Sequence, residues 1–150
     1  MSFSILNTIV IKEIAHNSDL YKEEVNLRFK ILREPLSLLY TQEQLDDEKD
    51  QFHLCAFENE KLIGCLLLKP INQNIIQMRQ VAVSRDYQGK GIGKHLVIQS
   101  EEYALNKGFN KMILHARETA IPFYQKLNYQ LEGEKFIEVT IPHMKMWKNL

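Results

Sequence analysis

The order of apolar patterns along the chain predicts an α+β fold, in which a mixed sheet carries helices on its faces. Pairs of strand-like segments joined by short loops imply antiparallel neighbours, because a tight turn reverses the chain. A strand, a helix and a second strand follow one another in the middle of the chain and imply one parallel pair. No linker, repeat or low-complexity segment divides the 150 residues, so we expect one domain spanning 1–150.

The first half of the chain predicts four strands and one helix. The helix begins at the capping residues 17–19 and is interrupted at Pro35. The acidic, polar stretch 41–51 is expected to be a solvated loop or short helix on the surface. The loop 58–61 is short and contains Asn, which favours a hairpin. The strands are marked by alternating or continuous apolar residues and are predicted at 8–14, 52–57, 62–68 and 75–83.

The second half predicts two helices and three strands. The first helix begins inside a glycine-rich turn, carries an apolar stripe along one face and stops at Gly108. The second helix covers 120–127, with Thr119 as its capping residue. Asn128 can take the left-handed conformation that ends this helix. The strands are predicted at 111–116, 129–139 and 143–147.

Composition and charge argue against several classes of function. The 19 basic and 19 acidic side chains balance, so no basic excess points to nucleic acid or to a membrane surface. The apolar runs fall short of the ~20 residues of a membrane helix, and the first residues lack a secretory signal pattern. Cys55 and Cys65 are therefore expected to be free, buried thiols. We expect a cytoplasmic protein, and the sequence indicates no metal site.

The feature that carries chemistry is the turn between the strand ending at Val83 and the next helix. The turn consists of Gln88, Gly89, Lys90, Gly91, Ile92, Gly93 and Lys94. The first amides of a helix have no partner within it and carry the positive end of its dipole, so they stabilise an anion. Glycines let the backbone approach phosphate oxygens closely. The spacing matches neither the phosphate loop of nucleotide hydrolases nor a dinucleotide-binding turn.

The pattern Gln-x-x-Gly-x-Gly from Gln88 to Gly93 follows a strand ending in Val-Ala-Val. It resembles the diphosphate signature of the GCN5-related N-acetyltransferase (GNAT) superfamily. The likeness extends from Ile75 to about Tyr129. It includes a helix with the motif alanine-x-x-phenylalanine-tyrosine, which runs from Ala120 to Tyr124. The chain is similar to small bacterial, single-domain members. It departs from them at Arg117, where Asn is common, and at Asn128, where Gly is usual.

The resemblance implies a central, mostly antiparallel, twisted sheet of six to seven strands flanked by about four helices. A parallel pair, the strand ending at Val83 and the strand starting at Lys111, would splay apart to form a crevice for acyl-CoA. Acetyl-CoA would be the acyl donor, with its pantetheine arm paired to exposed backbone groups. The implied cofactor-binding residues are Val81, Ala82, Val83, Gln88, Gly89, Lys90, Gly91, Ile92, Gly93, Lys94, Arg117 and Tyr124.

The implied reaction transfers an acetyl group to a primary amine of a small-molecule or peptide acceptor, by direct attack through a tetrahedral intermediate. Tyr124 is the candidate acid for the departing sulfur, and a backbone amide near Val83 is the candidate oxyanion donor. The base stays open between a water chain and a side chain. Glu138 and His143 are the side chains placed in the site, and the others weighed are His53, His115 and Glu34.

The sequence indicates less about the residues that bind the acceptor and about the oligomeric state. Four polar residues near the first helix and the cofactor strand either face an acceptor pocket or lie on a solvated, ion-paired face; they are Arg28, Arg33, Arg79 and Gln80. A homodimer is common in the family. The alternative function is a non-catalytic acyl-CoA-binding sensor or interaction module, which would bind the cofactor without turning it over.

Overall fold

A computed structural model describes residues 8–150 of the chain. Within that range, seven strands form one sheet in the spatial order β1-β2-β3-β4-β5-β7-β6. The strands are β1 (Ile9–Ile14), β2 (Phe52–Glu58), β3 (Lys61–Pro70), β4 (Ile75–Val83), β5 (Lys111–Arg117), β6 (Gln130–Glu138) and β7 (Ile141–Asn149). All neighbours are antiparallel except β4 and β5, which are parallel. The mixed, mostly antiparallel sheet is therefore confirmed.

The described part of the chain has four α-helices and several shorter helical turns. The α-helices are α1 (Asp19–Arg28), α2 (Gln42–Asp46), α3 (Ile92–Asn106) and α4 (Ile121–Lys126). A π-helical turn, Phe29–Arg33, prolongs α1, and 3₁₀ turns occupy Glu34–Leu36, Asp47–Asp50, Arg85–Tyr87 and Glu118–Ala120. None of the helices in residues 8–150 is long and apolar enough to cross a membrane.

The hairpin between β2 and β3 forms as predicted. Its two central residues, Asn59 and Glu60, have φ of 48° and 71°. Two positive φ angles are those of a type I′ turn, whose twist matches that of the strands it joins. Cys55 lies opposite Cys65 across this hairpin, and both thiols are free and buried, as predicted.

Helix α3 packs closely against the sheet and builds much of the core. Its inward face buries Leu96, Val97 and Ala104 completely. The strand beneath it, β3, has no side chain at Gly64, where an added Cβ would lie 2.9 Å from Leu96 Cδ1. Since real Cβ atoms do not approach so closely, a side chain at position 64 would displace the Leu96 methyl, and glycine lets α3 pack close to β3 here.

The parallel strands β4 and β5 separate along their length. They pair only from Ile75–Lys111 to Met78–Leu114, although β4 continues to Val83 and β5 to Arg117. The separation begins where the β3–β4 register shifts and Gln80 has a φ of 56°. A bulge of this kind bends a strand away from its neighbour. The result is the predicted splayed pair, with an open crevice between the two carboxyl ends.

The acidic stretch between α1 and β2 is a short surface helix, one of the two predicted alternatives, but it contains one residue whose burial was not predicted. Thr41 and Gln44 form a capping box that starts α2, and a 3₁₀ turn follows. Glu48 in that turn is 2 % exposed and bonds Arg28. Local composition predicted a solvated run because it carries no information on a partner 20 residues away.

The start of α4 also differs from the prediction. Thr119 does not cap this helix, because it lies inside the 3₁₀ turn Glu118–Ala120, and the residue before α4 is Ala120, with no side-chain cap bond. The end of the helix is as predicted: Asn128 has a φ of 72°. Gly108, the predicted stop of α3, has a φ of 96°.

Candidate active site

The crevice between β4 and β5 holds a cavity of about 330 Å³. Its walls come from the π-helical turn after α1, the splayed ends of β4 and β5, the region where α4 begins, and the β6–β7 hairpin. Five of the residues predicted for the site line it: Val81, Arg117, Tyr124, Glu138 and His143. Residues from distant parts of the sequence therefore meet in one cavity.

The turn that begins α3 lies outside that cavity and forms an open backbone cradle. The first intrahelical bond runs from the His95 amide to the Gly91 carbonyl, so the amides of Ile92, Gly93 and Lys94 have no helical partner. No side chain in the described residues caps this end. A Cβ at Gly89 would meet nothing within 4 Å. These unpaired donors at the positive end of a 15-residue helix fit a diphosphate.

The side chains of the turn have different surroundings. Gln88 donates from its amide Nε2 to the Val83 carbonyl at 3.0 Å, which ties the turn to the end of β4. The Lys90 ammonium lies 5.4 Å from the centre of the Tyr87 ring, and Lys94 is exposed. The two lysines can reach an anion on the cradle, and ligand binding by these side chains stays a prediction.

The backbone of β4 at Val83 points into the crevice. The Ser84 amide donates to the Ile63 carbonyl on β3 at 2.8 Å, and Val83 lies opposite Gly64. Because the backbone groups of successive strand residues point to opposite sides, the amide and carbonyl of Val83 turn away from β3. β5 no longer pairs with β4 at this level. Val83 therefore offers its amide to an extended ligand, while its carbonyl accepts from Gln88.

Tyr124 is held in α4, and its hydroxyl has no hydrogen-bond partner among the described residues. The residue is 8 % exposed, and its ring packs edge-on against Phe123 and Tyr129 at 5.0 and 5.8 Å. No hydrogen bond joins its hydroxyl to a residue in 8–150, whereas the Tyr129 hydroxyl bonds Glu101 at 2.8 Å. Burial raises the pKa of Tyr124 well above its usual value. The phenol is therefore protonated at neutral pH and can donate a proton into the cavity.

Two histidines flank the carboxylate of Glu138 at the β6–β7 hairpin. His115 donates from Nδ1 to Glu138 Oε1 at 3.0 Å, since a carboxylate can only accept. His143 Nε2 lies 3.8 Å from the other oxygen, Oε2. The hydrogen bond from His115 lowers the pKa of Glu138, and this outweighs the opposing effect of partial burial. Glu138 is thus a firmly ionised carboxylate.

His143 is buried and oriented by its neighbours. It is 3 % exposed, and its Nδ1 donates to the Ile141 carbonyl at 2.9 Å. Phe136 stacks on its ring at 6.0 Å. With the proton placed on Nδ1 by that bond, the neutral ring leaves Nε2 as an acceptor on the side of Glu138.

Other candidates from the sequence lie elsewhere. His53 is 1 % exposed and bonds Glu24 at 3.1 Å, and it does not line the cavity. Arg28 is fully buried and paired with Glu48, and Glu34 is exposed and also outside the cavity lining. His53 and Arg28 belong to a buried network beneath the α1 side of the sheet. Of the two alternatives left open for Arg28, the ion-paired one therefore holds, and His53 is not placed as a base at the crevice.

The structure adds contacts that sequence reasoning missed. Arg33, Arg79 and Gln80, left open between an acceptor pocket and a solvated face, line the cavity. The bond between His115 and Glu138 was not foreseen. The alternation of β6, in which Phe136 and Glu138 share a face, is the signal that could have placed these two side chains beside His143.

Comparisons with known proteins match this architecture. Residues 18–129 match the model of the acetyltransferase (GNAT) family. The uncharacterised N-acetyltransferase YjcF of Bacillus subtilis is 25 % identical over 138 residues, covering 91 % of this chain and 97 % of that protein. The uncharacterised protein YyaT of the same organism is 27 % identical over 151 residues, covering 93 % and 95 %.

Solved structures share the fold. A putative N-acetyltransferase from Lactobacillus plantarum superposes with a TM-score of 0.81 at 24 % identity, covering 94 % of this chain and 99 % of the other. A GNAT family acetyltransferase from Elizabethkingia anophelis with acetyl-CoA bound superposes with a TM-score of 0.77 at 18 % identity, covering 96 % and 99 %.

Proposed function

Because the chain belongs to the acetyltransferase (GNAT) family, we propose that it transfers an acetyl group from acetyl-CoA to a primary amine of a small-molecule or peptide acceptor. The observation that carries this proposal is the pairing of two features. One is the uncapped amide cradle at the start of α3, and the other is the adjoining crevice where β4 and β5 separate. Together they offer an anion site and an extended backbone edge.

The donor is held mainly by backbone groups. Its diphosphate is bound by the amides of Ile92, Gly93 and Lys94, and its pantetheine arm pairs with exposed backbone groups near Val81. The acetyl-CoA-bound relative of the same fold from Elizabethkingia anophelis supports this choice of donor. When bound, the donor supplies the thioester that is attacked.

Proton transfer in this proposal is divided between two side chains. A new bond forms between the amine nitrogen and the acetyl carbon, and the bond from that carbon to sulfur breaks. Tyr124 donates its phenolic proton to the departing sulfur, and the Val83 amide donates a hydrogen bond to the oxyanion. The nitrogen releases one proton to solvent as it becomes an amide, and solvent returns a proton to the Tyr124 phenolate.

The base is assigned by comparing Glu138 with His143. A carboxylate whose pKa is held low is a poor acceptor for an ammonium proton. His143 presents Nε2 as an acceptor, and Glu138 at 3.8 Å stabilises the imidazolium that forms. We therefore assign proton removal to His143 and electrostatic support to Glu138.

The test is release of free thiol from acetyl-CoA on adding a panel of amines, with the acetylated product identified by mass. Amine-dependent thiol release is expected. The matched measurement is binding of acetyl-CoA without any acceptor. Tight binding with no thiol release across a broad amine panel would contradict the enzyme and indicate a non-catalytic acyl-CoA-binding module instead.

A further inference from the structure

Three arginines line the crevice without forming a direct ion pair within residues 8–150, although the carboxylate of Glu138 lines the same cavity. Of the five arginines in the chain, Arg33, Arg79 and Arg117 line the cavity. Within residues 8–150, none of the three has a carboxylate oxygen within 4.0 Å. Arg28, by contrast, is buried between Glu24 and Glu48 at 3.6 and 2.6 Å. Cavity arginines without acidic partners are available to a ligand.

Neutral contacts hold these side chains in place. Arg79 donates from Nη1 to Gln51 Oε1 at 3.2 Å, and Arg117 donates from Nη2 to the Leu32 carbonyl at 2.7 Å. Arg33 lies over the Tyr40 ring with its Cζ 4.5 Å from the centre. A guanidinium has five N–H donors in a fixed plane, so each side chain is positioned and still has donors left for an oxyanion.

The arginines also repel one another. Burial lowers the pKa of Arg117, and the charge of Arg33 lowers it further. Two like charges on one half-buried wall cost free energy in the empty crevice, and an anion bound at Arg33 offsets that cost. This is the behaviour of a preorganised anion subsite.

The donor's diphosphate does not account for this subsite. The amide cradle of residues 88–94 contributes nothing to the cavity lining. Arg33 and Arg79 also line a second cavity of about 140 Å³ that extends the crevice toward α2. Asp47 and Glu48 line this second cavity too, and Glu48 is already paired with Arg28. The two arginines therefore stand at the junction of both cavities, and the cradle lines neither of them.

We infer that the acceptor is a small amine carrying a carboxylate, with the carboxylate bound by Arg33 and Arg79. This rests on the proposed acetyl transfer and names the substrate class for it. The amine of the acceptor lies toward Glu138 and His143, which line the same cavity. Planar guanidinium groups match a carboxylate through paired hydrogen bonds. The cavity volume suits a molecule of amino-acid size.

The test compares matched acceptors that differ only in the anion. Free amino acids and their amides are assayed by thiol release at saturating acetyl-CoA. We expect kcat/KM to favour the carboxylates by roughly 10- to 100-fold, the range of a charge-assisted hydrogen bond. Arg33→Gln and Arg79→Gln are each expected to lose most of that preference. Arg85→Gln, the same change at an arginine outside the cavity lining, is expected to keep it.

A binding titration gives a second readout that does not need turnover. N-acetyl amino acids and N-acetyl amino acid amides are titrated by calorimetry into the protein saturated with CoA. We expect the carboxylates to bind at least about tenfold more tightly, and Arg79→Gln to remove the difference. Equal binding of both series by the unaltered protein would overturn the inference, as would a preference that survives both arginine substitutions.

The outcomes separate the two proposals. If amino acid amides release thiol at least as efficiently as free amino acids do, acetyl transfer stands and the carboxylate subsite is overturned. No thiol release with any amine overturns acetyl transfer, and the calorimetric titration alone then decides on the subsite.

Discussion

Arg28 and Glu48 form a buried, doubly hydrogen-bonded ion pair that joins α1 to the 3₁₀ turn after α2. Arg28 Nη1 and Nη2 lie 2.8 and 2.6 Å from the two carboxylate oxygens of Glu48. The Tyr21 hydroxyl donates to the same carboxylate at 2.7 Å, and the Glu48 carbonyl accepts from His53 at 2.9 Å. This network fixes the segment that carries Arg33 and Tyr40 toward the crevice.

Removing one member of that pair is expected to lower the free energy of unfolding substantially. Glu48→Gln leaves the Arg28 charge buried beside only Glu24, and a broken buried pair costs about 3–5 kcal/mol. The measurement is the free energy of unfolding in urea. Lys22→Gln, which removes an exposed pair with Asp19 at 4.0 Å, is the control and should change stability little. If Glu48→Gln lowered the free energy of unfolding no more than Lys22→Gln does, the structural role of the pair would be refuted.

His53 makes the stability depend on pH. Burial lowers the pKa of His53, but the hydrogen bond and charge of Glu24 outweigh it, so the pKa is raised. A raised pKa in the folded state stabilises the protein fully below the unfolded value of about 6.5, and the contribution is lost as pH rises through the folded pKa.

The pH dependence can be isolated by substitution. The free energy of unfolding is measured by urea titration at pH 6 and at higher pH. We expect it to fall more with rising pH in the unaltered protein than in His53→Gln. Glu138 has a lowered pKa, so its contribution is lost only in acid and does not overlap this window. If the free energy of unfolding varied with pH in the same way in the unaltered protein and in His53→Gln, the His53–Glu24 bond would not be the cause of the pH dependence.

Tyr124→Phe is expected to lower turnover by roughly 10²-fold or more, because it removes the proton donor to the leaving sulfur. Acetyl-CoA affinity should be nearly unchanged, since the proposed site for the diphosphate is the backbone cradle. The measurements are kcat by thiol release and Kd by titration. Tyr103→Phe, which removes a hydroxyl bonded to Glu13 far along α3, is the matched control. Full turnover in Tyr124→Phe would take this residue out of the mechanism.

His143→Gln tests the assigned base. At neutral pH, kcat/KM is expected to fall by roughly 10²-fold, because the ammonium of the acceptor must lose a proton. The deficit should shrink at high pH, where the free amine predominates and needs no base. A deficit that stays constant with pH would indicate that His143 only supports the hairpin.

Local signals predicted much of the fold and the cradle. The turn from Gln88 to Gly93, the hairpin at Asn59 and Glu60, and the left-handed end at Asn128 depend on residues adjacent in the chain. Contacts between distant segments were not predictable in the same way. The Arg28–Glu48 and His115–Glu138 pairs form only when the sheet brings separate elements together. Thr119 shows the limit of local reasoning, since a 3₁₀ turn displaced the start of α4 by one residue.

The central claim is that the donor's diphosphate lies on the first amides of α3. Amide chemical shifts measured by NMR during titration with CoA, and with pantetheine as the control that lacks the diphosphate, test it most directly. We expect CoA to perturb the amides of residues 88–94 strongly and pantetheine to leave them nearly unchanged while still affecting β4. CoA binding whose largest shifts fall elsewhere, or no binding at all, would contradict the account.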